Sequence, residues 1–441
     1  MAFFVAIMMA ITACGGTATP TATLAPAASA SARPSTAAST AASTAPSAAA
    51  STAASTAPSA SAPAASTGAS TAPSAAASAS AAASASVRPA GTPATPAAGG
   101  AAPNTTIKIT GKQGDAPALT GAGATFPAAL YSKWFNEYEK ATGVKVNYQS
   151  IGSGGGIKSI QDATTDFGAT DGPMTDEQLK AAKSGEILHI PMALGAVVPT
   201  TNIPNYTKPI KFTPETLAGI FLGDIVKWND AKLVADNPDL ASVNQNIITV
   251  HRSDGSGTTY IFVDYLSTVS PKWKSTVGTG TSVNWPNGLG AKGNEGVAGE
   301  VKQNPYSIGY VELIYATQNK LGVGQVKNKS GAFIEPTIAS VTAAAAGVTQ
   351  TIQPDLRASI VDAPGAEAFP ISGFTWLLVY KNQTDQAKAI AVTRMMWWAI
   401  HEAQVFNADL GYAPLPAGIV VKAEAKIQEI VVNGKPAFPG K

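Results

Sequence analysis

From Leu119 onward, apolar positions along the chain switch repeatedly between a spacing of three and four and a spacing of two. The first period marks helices with one buried face, the second marks strands. The pattern predicts a helix over Pro127–Gly143, where Leu130, Tyr131, Trp134, Phe135 and Tyr138 form one stripe. Pro127 suits the first turn and Gly143 the position just past the last. A strand follows at Val144–Tyr148, then a glycine loop at Gly152–Gly156 leading into a helix over Ile157–Ala163. Asp166–Ala169 reads as a short strand, and Thr175–Lys183 as a helix opened by a Thr-x-x-Gln capping pattern. Ile187–Met192 and Gly195–Thr201 read as two further strands. A second region begins near Asn202-Ile203-Pro204, with helices at Pro214–Leu222, Gly257–Leu266 and Val341–Gly347 and strands at Ile247–Val250 and Ser307–Val311. Beyond Ala363-Pro364-Gly365 come a buried strand, Phe374–Tyr380, and a long helix, Gln386–Ala403, whose Met395, Met396, Trp397 and Trp398 read as core. Such alternation predicts an α/β protein with helices on both faces of its sheet.

The first hundred residues have a different texture. Phe3–Ile11 is an apolar run of nine, too short to span a bilayer but suited to the core of an export signal. It leads into Ile11-Thr12-Ala13-Cys14-Gly15, which contains the only cysteine of the chain. This resembles a lipoprotein cleavage site, where small residues flank the cut bond and the thiol receives the lipid. The other reading is a chance cysteine behind an ordinary leader. Met1–Phe4 lacks the Lys or Arg that usually opens such leaders. Residues 15–104 are nearly all Ala, Ser, Thr, Pro and Gly, and Ala-Ser-Thr-Ala-Pro-Ser-Ala occurs at 42–48, 54–60 and 69–75. With so few large apolar side chains to offset ordering entropy, the segment is expected to be a disordered tether. As a coil it would span on the order of 50 Å.

Charge sharpens the division. Residues 1–104 carry only Arg33 and Arg88, so the remainder balances 28 of the 30 basic side chains against all 28 acidic ones. A neutral folded part argues against nucleic-acid binding, which needs a clustered positive face. With its one cysteine at position 14, the folded part has no disulfide framework, thiolate cluster or cysteine nucleophile.

Three glycine- and hydroxyl-rich stretches each lead into a predicted helix: Thr120-Gly-Ala-Gly-Ala-Thr-Phe126, Ile151-Gly-Ser-Gly-Gly-Gly156 and Arg252-Ser-Asp-Gly-Ser-Gly-Thr258. A helix N-terminus offers unpaired N–H groups and the positive end of a dipole, and glycine lets an anion approach the backbone. Any one of these stretches is as well explained as a plain turn; three together, one with an arginine, point toward an oxyanion site. None of the three is a nucleotide P-loop or carries the dinucleotide fingerprint. The histidines, His189, His251 and His401, sit in no ligand-spaced metal motif. The crowding of His251, Ser253, Asp254 and Ser256 leaves a hydrolase as an alternative, although adjacency in sequence is not the geometry of a triad.

These stretches, with Val146-Asn-Tyr-Gln-Ser150, Asp166-Phe-Gly-Ala-Thr-Asp171, Val277-Gly-Thr-Gly280, Trp285-Pro286, Gly293-Asn294 and Ile308-Gly-Tyr-Val-Glu312, resemble the phosphate-binding proteins of bacterial ABC phosphate importers. The resemblance runs in order from about residue 119 to the C-terminus. It implies a two-lobed, periplasmic-binding-protein-like α/β fold of type II with a two-stranded hinge, preceded by the linker. The lobes would comprise 105–200 with 369–441, and 201–368. It also implies an extracytoplasmic, lipid-anchored protein that takes inorganic phosphate, without cofactor or metal, and delivers it to a membrane permease. Carried over by position, the phosphate contacts fall on Thr125, Phe126 through its backbone N–H, Ser153, Asp171, Arg252, Ser256, Gly257 and Thr258. Asp254, Gly152 and Gly255 would support them. Gly154 and Ser253 depart from the commonest pattern, where serine and alanine stand.

In that frame Arg252 would offer a planar fork of donors to phosphate oxygens, oriented by Asp254. Asp171 would accept the proton that phosphate carries at neutral pH and sulfate lacks, so it would exclude sulfate. From the residues alone, Asp171 could equally cap the helix near Pro173–Thr175. Binding of another tetrahedral oxyanion, arsenate or sulfate, stays open at this point.

Overall fold

The structure is a computed structural model that describes residues 115–438. The leader, Cys14, the tether and the first ten residues of the expected first lobe lie outside the described residues.

One sheet organises the molecule. Its strands run in the order Lys145–Ser150, Ala118–Gly123, Phe167–Thr170, Ser372–Tyr380, Ile187–Asn202, Ser307–Glu312, Ile248–Arg252 and Leu289–Ala291. The 16-residue strand Ile187–Asn202 is the link between the two halves. Its first part pairs antiparallel with Ser372–Tyr380 and its last part antiparallel with Ser307–Glu312. Parallel pairs lie on either side, Ala118–Gly123 with both its neighbours and Ile248–Arg252 with both of its own. The result is a two-lobed α/β fold. Strands near the centre are buried on both faces, as sheets covered by helices on each side require.

Sequence signals placed the ends of several helices well. The helix Ala128–Thr142 follows Pro127 and stops at Gly143, whose φ of 71° is the left-handed conformation that glycine adopts without strain. Asp176–Lys180 is opened by the expected capping box, Thr175 with Gln178. The Met395–Trp398 cluster is core, inside the helix Gln386–Ile400.

Other elements differ from the pattern. The two strands expected around 187–201 are one, with a bulge at Met192, which lies unpaired between Pro191 and Ala193 while their partners Trp376 and Thr375 are consecutive. The expected loop Gly152–Gly156 is helical from Ser153, so its glycines form the first turn of Ser153–Gln161. The first glycine-rich stretch is mostly strand, Ala118–Gly123, and only Ala124–Pro127 turns. Gly121 is needed there because a Cβ would meet the Phe167 ring at 2.1 Å. Sequence periodicity also passed over the helices Gly293–Gln303 and Ala417–Gln428. The first contains three glycines, Gly293, Gly296 and Gly299, and so reads as loop.

Candidate functional site

The starts of four helices meet where the two lobes face each other. They are Ala128–Thr142, Ser153–Gln161, Gly257–Val269 and Gly293–Gln303. The residues expected from sequence lie at these starts or at the ends of the adjoining strands. Thr125, Phe126, Ser153, Asp171, Arg252, Ser256, Gly257 and Thr258 are all buried.

Contacts tie them together across the lobes. Ser153 Oγ accepts a hydrogen bond from Gly257 N–H at 2.9 Å, and Gly154 N–H donates to Gly255 O at 2.9 Å. These approaches demand glycine. A Cβ on Gly257 would lie 2.6 Å from Asp171 Cβ, and one on Gly152 would lie 2.4 Å from Asp254 Oδ2. A Cβ on Gly154 would come within 3.0 Å of Gly255 Cα. Ser256 caps its own helix, its Oγ accepting from Thr259 N–H at 3.0 Å.

The turn at Ala124–Phe126 is held by three tyrosines. Tyr148 donates to Ala124 O at 2.7 Å, Tyr315 to Thr125 O at 2.5 Å and Tyr412 to Phe126 O at 2.6 Å. A trans peptide points its carbonyl and the next N–H in opposite directions. Fixing Thr125 O therefore fixes the direction of Phe126 N–H, the backbone donor expected at this site.

Arg252 is buried and pairs with Asp254, Nε to Oδ1 at 2.7 Å and Nη2 to Oδ2 at 2.6 Å. One edge of the guanidinium is thus committed to Asp254, and what remains for a ligand is Nη1 and the second N–H of Nη2. Asp254 also accepts from Gly293 N–H at 3.1 Å. Burial would raise its pKa, but the hydrogen bonds and charge of Arg252 outweigh this and hold it below the usual carboxylate range.

Asp171 is the unusual member. Its side chain is buried, and Oδ1 finds no hydrogen-bond partner among the described protein atoms. Burial pushes its pKa up to about 7, against the lowering influence of the Thr375 hydroxyl, the Arg252 charge and the Ser153 hydroxyl. It does not cap the helix after Pro173, where Thr175 is the N-cap, so the capping alternative falls.

Glu312 is a second buried carboxyl, raised well above its ordinary pKa by burial. Its Oε2 lies 3.0 Å from the Tyr412 hydroxyl. That hydroxyl has one proton, and Phe126 O can only accept. The Tyr412 proton is thus shared between Phe126 O and Glu312 Oε2, and Oε2 also accepts from Ile314 N–H at 3.0 Å. No sequence motif announced this pair.

The hydrolase geometry is absent around His251. Its ring stacks on Trp285 with centroids 4.8 Å apart, and Nδ1 lies 3.0 Å from Arg252 O rather than from a serine. His189 is buried, takes a hydrogen bond from Met174 N–H at 3.1 Å and is pushed by burial down to about 3, so it is neutral. Among the described residues no group of three or more His, Cys, Asp or Glu side chains is placed to hold a metal ion.

The geometry defines a two-lobed binding protein with a buried anion site, and comparisons with known proteins agree. The family model for the PBP superfamily domain matches residues 26–392. The phosphate-binding protein PstS of Xylella fastidiosa (strain 9a5c) is 44% identical over 323 residues, covering 73% of this chain and 88% of that protein. The PstS of Haemophilus influenzae is 44% identical over 317 residues, covering 71% and 94%. That of Methanocaldococcus jannaschii is 39% identical over 320 residues, covering 67% and 82%. A solved high-affinity periplasmic phosphate-binding protein (PfluDING) bound with phosphate superposes with a TM-score of 0.57 at 20% identity, covering 70% of this chain and 93% of that one. This last likeness supports the fold. The chain belongs to the PBP superfamily, and within it to the phosphate-binding protein family of these PstS relatives.

Proposed function

We infer that this protein binds inorganic phosphate between its lobes and hands it to the permease of an ABC phosphate importer. The observation that carries the reading is Asp171 Oδ1, a buried acceptor without a partner set among donors. Hydrogen phosphate meets both demands, since it is an anion and still has a proton to give. The bonds expected to hold it come from the hydroxyls of Thr125, Ser153, Ser256 and Thr258, the free edge of Arg252, and backbone N–H groups at Phe126 and the start of the helix Gly257–Val269. Gly257 N–H is committed to Ser153 Oγ in the arrangement described, so its share of the ligand requires that bond to be exchanged. Asp254 holds Arg252, while Gly152 and Gly255 keep the two loops in reach. Sulfate, with no proton, would set a bare oxygen against Asp171 and is rejected. Arsenate, with the same shape and protonation pattern, is accepted.

The protein acts as a binding protein and not as an enzyme: in the site Ser153 Oγ accepts from Gly257 N–H, Ser256 Oγ caps its helix, and His251 Nδ1 lies against Arg252 O rather than a serine. It requires no metal and no cofactor. The lobe boundaries implied by the sequence, 105–200 with 369–441 against 201–368, agree with a linking strand that ends at Asn202 and a return strand that starts at Ser372. We place the protein outside the cytoplasm, made with a leader and anchored by lipid on Cys14. In support, the Phe3–Cys14 pattern resembles a lipoprotein leader and its cleavage site.

Calorimetric titration of the purified protein with phosphate, arsenate and sulfate tests the reading. It expects one site for phosphate and arsenate and none for sulfate. Absence of phosphate binding would overturn it.

A further inference from the structure

Gly293-Asn294 stood out in the sequence without acquiring a role, and the structure assigns one. Asn294 is fully buried in the first turn of the helix Gly293–Gln303. Its Oδ1 accepts a hydrogen bond from the backbone N–H of Glu312 at 2.9 Å. A backbone N–H can only donate, so the amide has one possible orientation, with its NH2 group on the other side. There Nδ2 lies 2.8 Å from Thr125 Oγ1 and 2.9 Å from Thr258 Oγ1. The backbone N–H of Asn294 also reaches Thr125 Oγ1, at 3.2 Å.

Each of these groups is a donor only. Thr125 Oγ1 thus receives two hydrogen bonds and has both lone pairs occupied, and Thr258 Oγ1 receives one from the same amide. Neither threonine can send its proton back toward Asn294. We propose that Asn294 is a positioning residue that turns the hydroxyl protons of Thr125 and Thr258 toward the anion, one from each lobe. Ser153 differs: its Oγ accepts from Gly257 N–H at 2.9 Å, but its own proton has a long contact with Asp171 Oδ2 at 3.5 Å. A hydroxyl free to rotate must give up that freedom to hold its proton on an anion. An anion receptor gains selectivity for charge when such rotors are locked as donors. The amide does this without adding a positive charge, which fits a folded part whose charges sum to zero.

This proposal rests on Thr125 and Thr258 facing phosphate, and its test separates the two ideas. Phosphate affinity would be measured by calorimetry for the wild type, Asn294→Ala, the double variant Thr125→Val/Thr258→Val, and the triple variant. Asn294→Ala is expected to weaken binding by roughly ten- to hundredfold in the wild-type background. In the Thr125→Val/Thr258→Val background it should cost less than about threefold, because the hydroxyls through which it acts are gone. Equal losses in both backgrounds would mean that Asn294 only supports the fold, and would overturn the proposal while leaving phosphate binding intact. No binding by the wild type would overturn the functional reading and the proposal together. Should Asn294→Ala fail to fold, a neutron structure of the wild-type phosphate complex decides. Hydrogens of Thr125 and Thr258 on the phosphate side support the proposal; hydrogens directed at Asn294 overturn it.

Discussion

Ser153 Oγ accepts a hydrogen bond from Gly257 N–H at 2.9 Å, joining the starts of two helices that lie 104 positions apart in the chain. The bond does two things. It brings two positive helix ends together, an arrangement that favours an anion between them. It also uses a lone pair of the serine oxygen, whose own proton makes only a long contact, 3.5 Å, with Asp171 Oδ2 and can be redirected to an anion. Ser153→Ala removes a donor to the anion and the anchor for Gly257. Phosphate affinity is expected to fall roughly ten- to hundredfold, the value of one or two hydrogen bonds to a charged group. Calorimetry on the variant checks this, and an unchanged affinity would remove Ser153 from the site.

Gly257 tests how tightly the lobes must meet. An added Cβ would lie 2.5 Å from Asp171 N and 2.6 Å from Asp171 Cβ, and backbone cannot move aside as a flexible side chain can. Gly257→Ala is expected to weaken phosphate binding by more than about a hundredfold, since a clash of this kind costs several kcal/mol if the lobes are forced together. Because the clash is between lobes, the melting temperature without ligand should stay near that of the wild type. A large loss of stability with retained affinity would contradict this.

Asp171 links the site to pH. Burial raises its pKa from an ordinary 3.8 to about 7, so across that window the folded protein holds a proton that the unfolded chain has released. The stability this contributes is complete below about pH 4 and is lost as the pH rises through about 7, by roughly 4 kcal/mol at most. Glu312 adds a slope of the same sign above its ordinary value of 4.5. The informative quantity is therefore the difference between the wild type and Asp171→Asn. In denaturant titrations without phosphate, the wild type should lose more stability than the variant between pH 5 and pH 8. Parallel curves would show that Asp171 ionises as an ordinary surface acid.

Salt should matter little. Arg252 is buried and its charge is offset by Asp254 at 2.6 Å, so the anion meets local dipoles and hydroxyls rather than a broad positive surface. Buried interactions are poorly screened. Raising sodium chloride from low to about 0.5 M is expected to change the phosphate affinity by less than about threefold. A fall of orders of magnitude would indicate binding by long-range charge.

Much of this was legible in the chain. Pro127 and Gly143 bounded a helix because one fixes φ and the other tolerates a left-handed cap. Ser153, Asp171 and Arg252–Thr258 stood in compact motifs whose residue types name their chemistry. What had no role from local pattern acts through contacts distant in sequence. Asn294 reaches Thr125, 169 positions away, from a glycine-rich segment that reads as loop. Tyr148, Tyr315 and Tyr412 look like core aromatics until their hydroxyls are seen on three successive carbonyls. The single strand Ile187–Asn202 reads as two because its bulge at Met192 interrupts the alternation while the pairing continues on either side. The contact of buried Glu312 with Tyr412, 100 positions away, is one that no local pattern announces.

The central claim is that a carboxylate selects the anion by its proton. Phosphate titration at pH 8 in a large excess of sulfate tests it most directly, with Asp171→Asn measured alongside. The wild type should bind phosphate as tightly as without sulfate, within about twofold. The variant, whose amide can donate to a bare sulfate oxygen, should show sulfate competing. Displacement of phosphate from the wild type by sulfate would contradict the account.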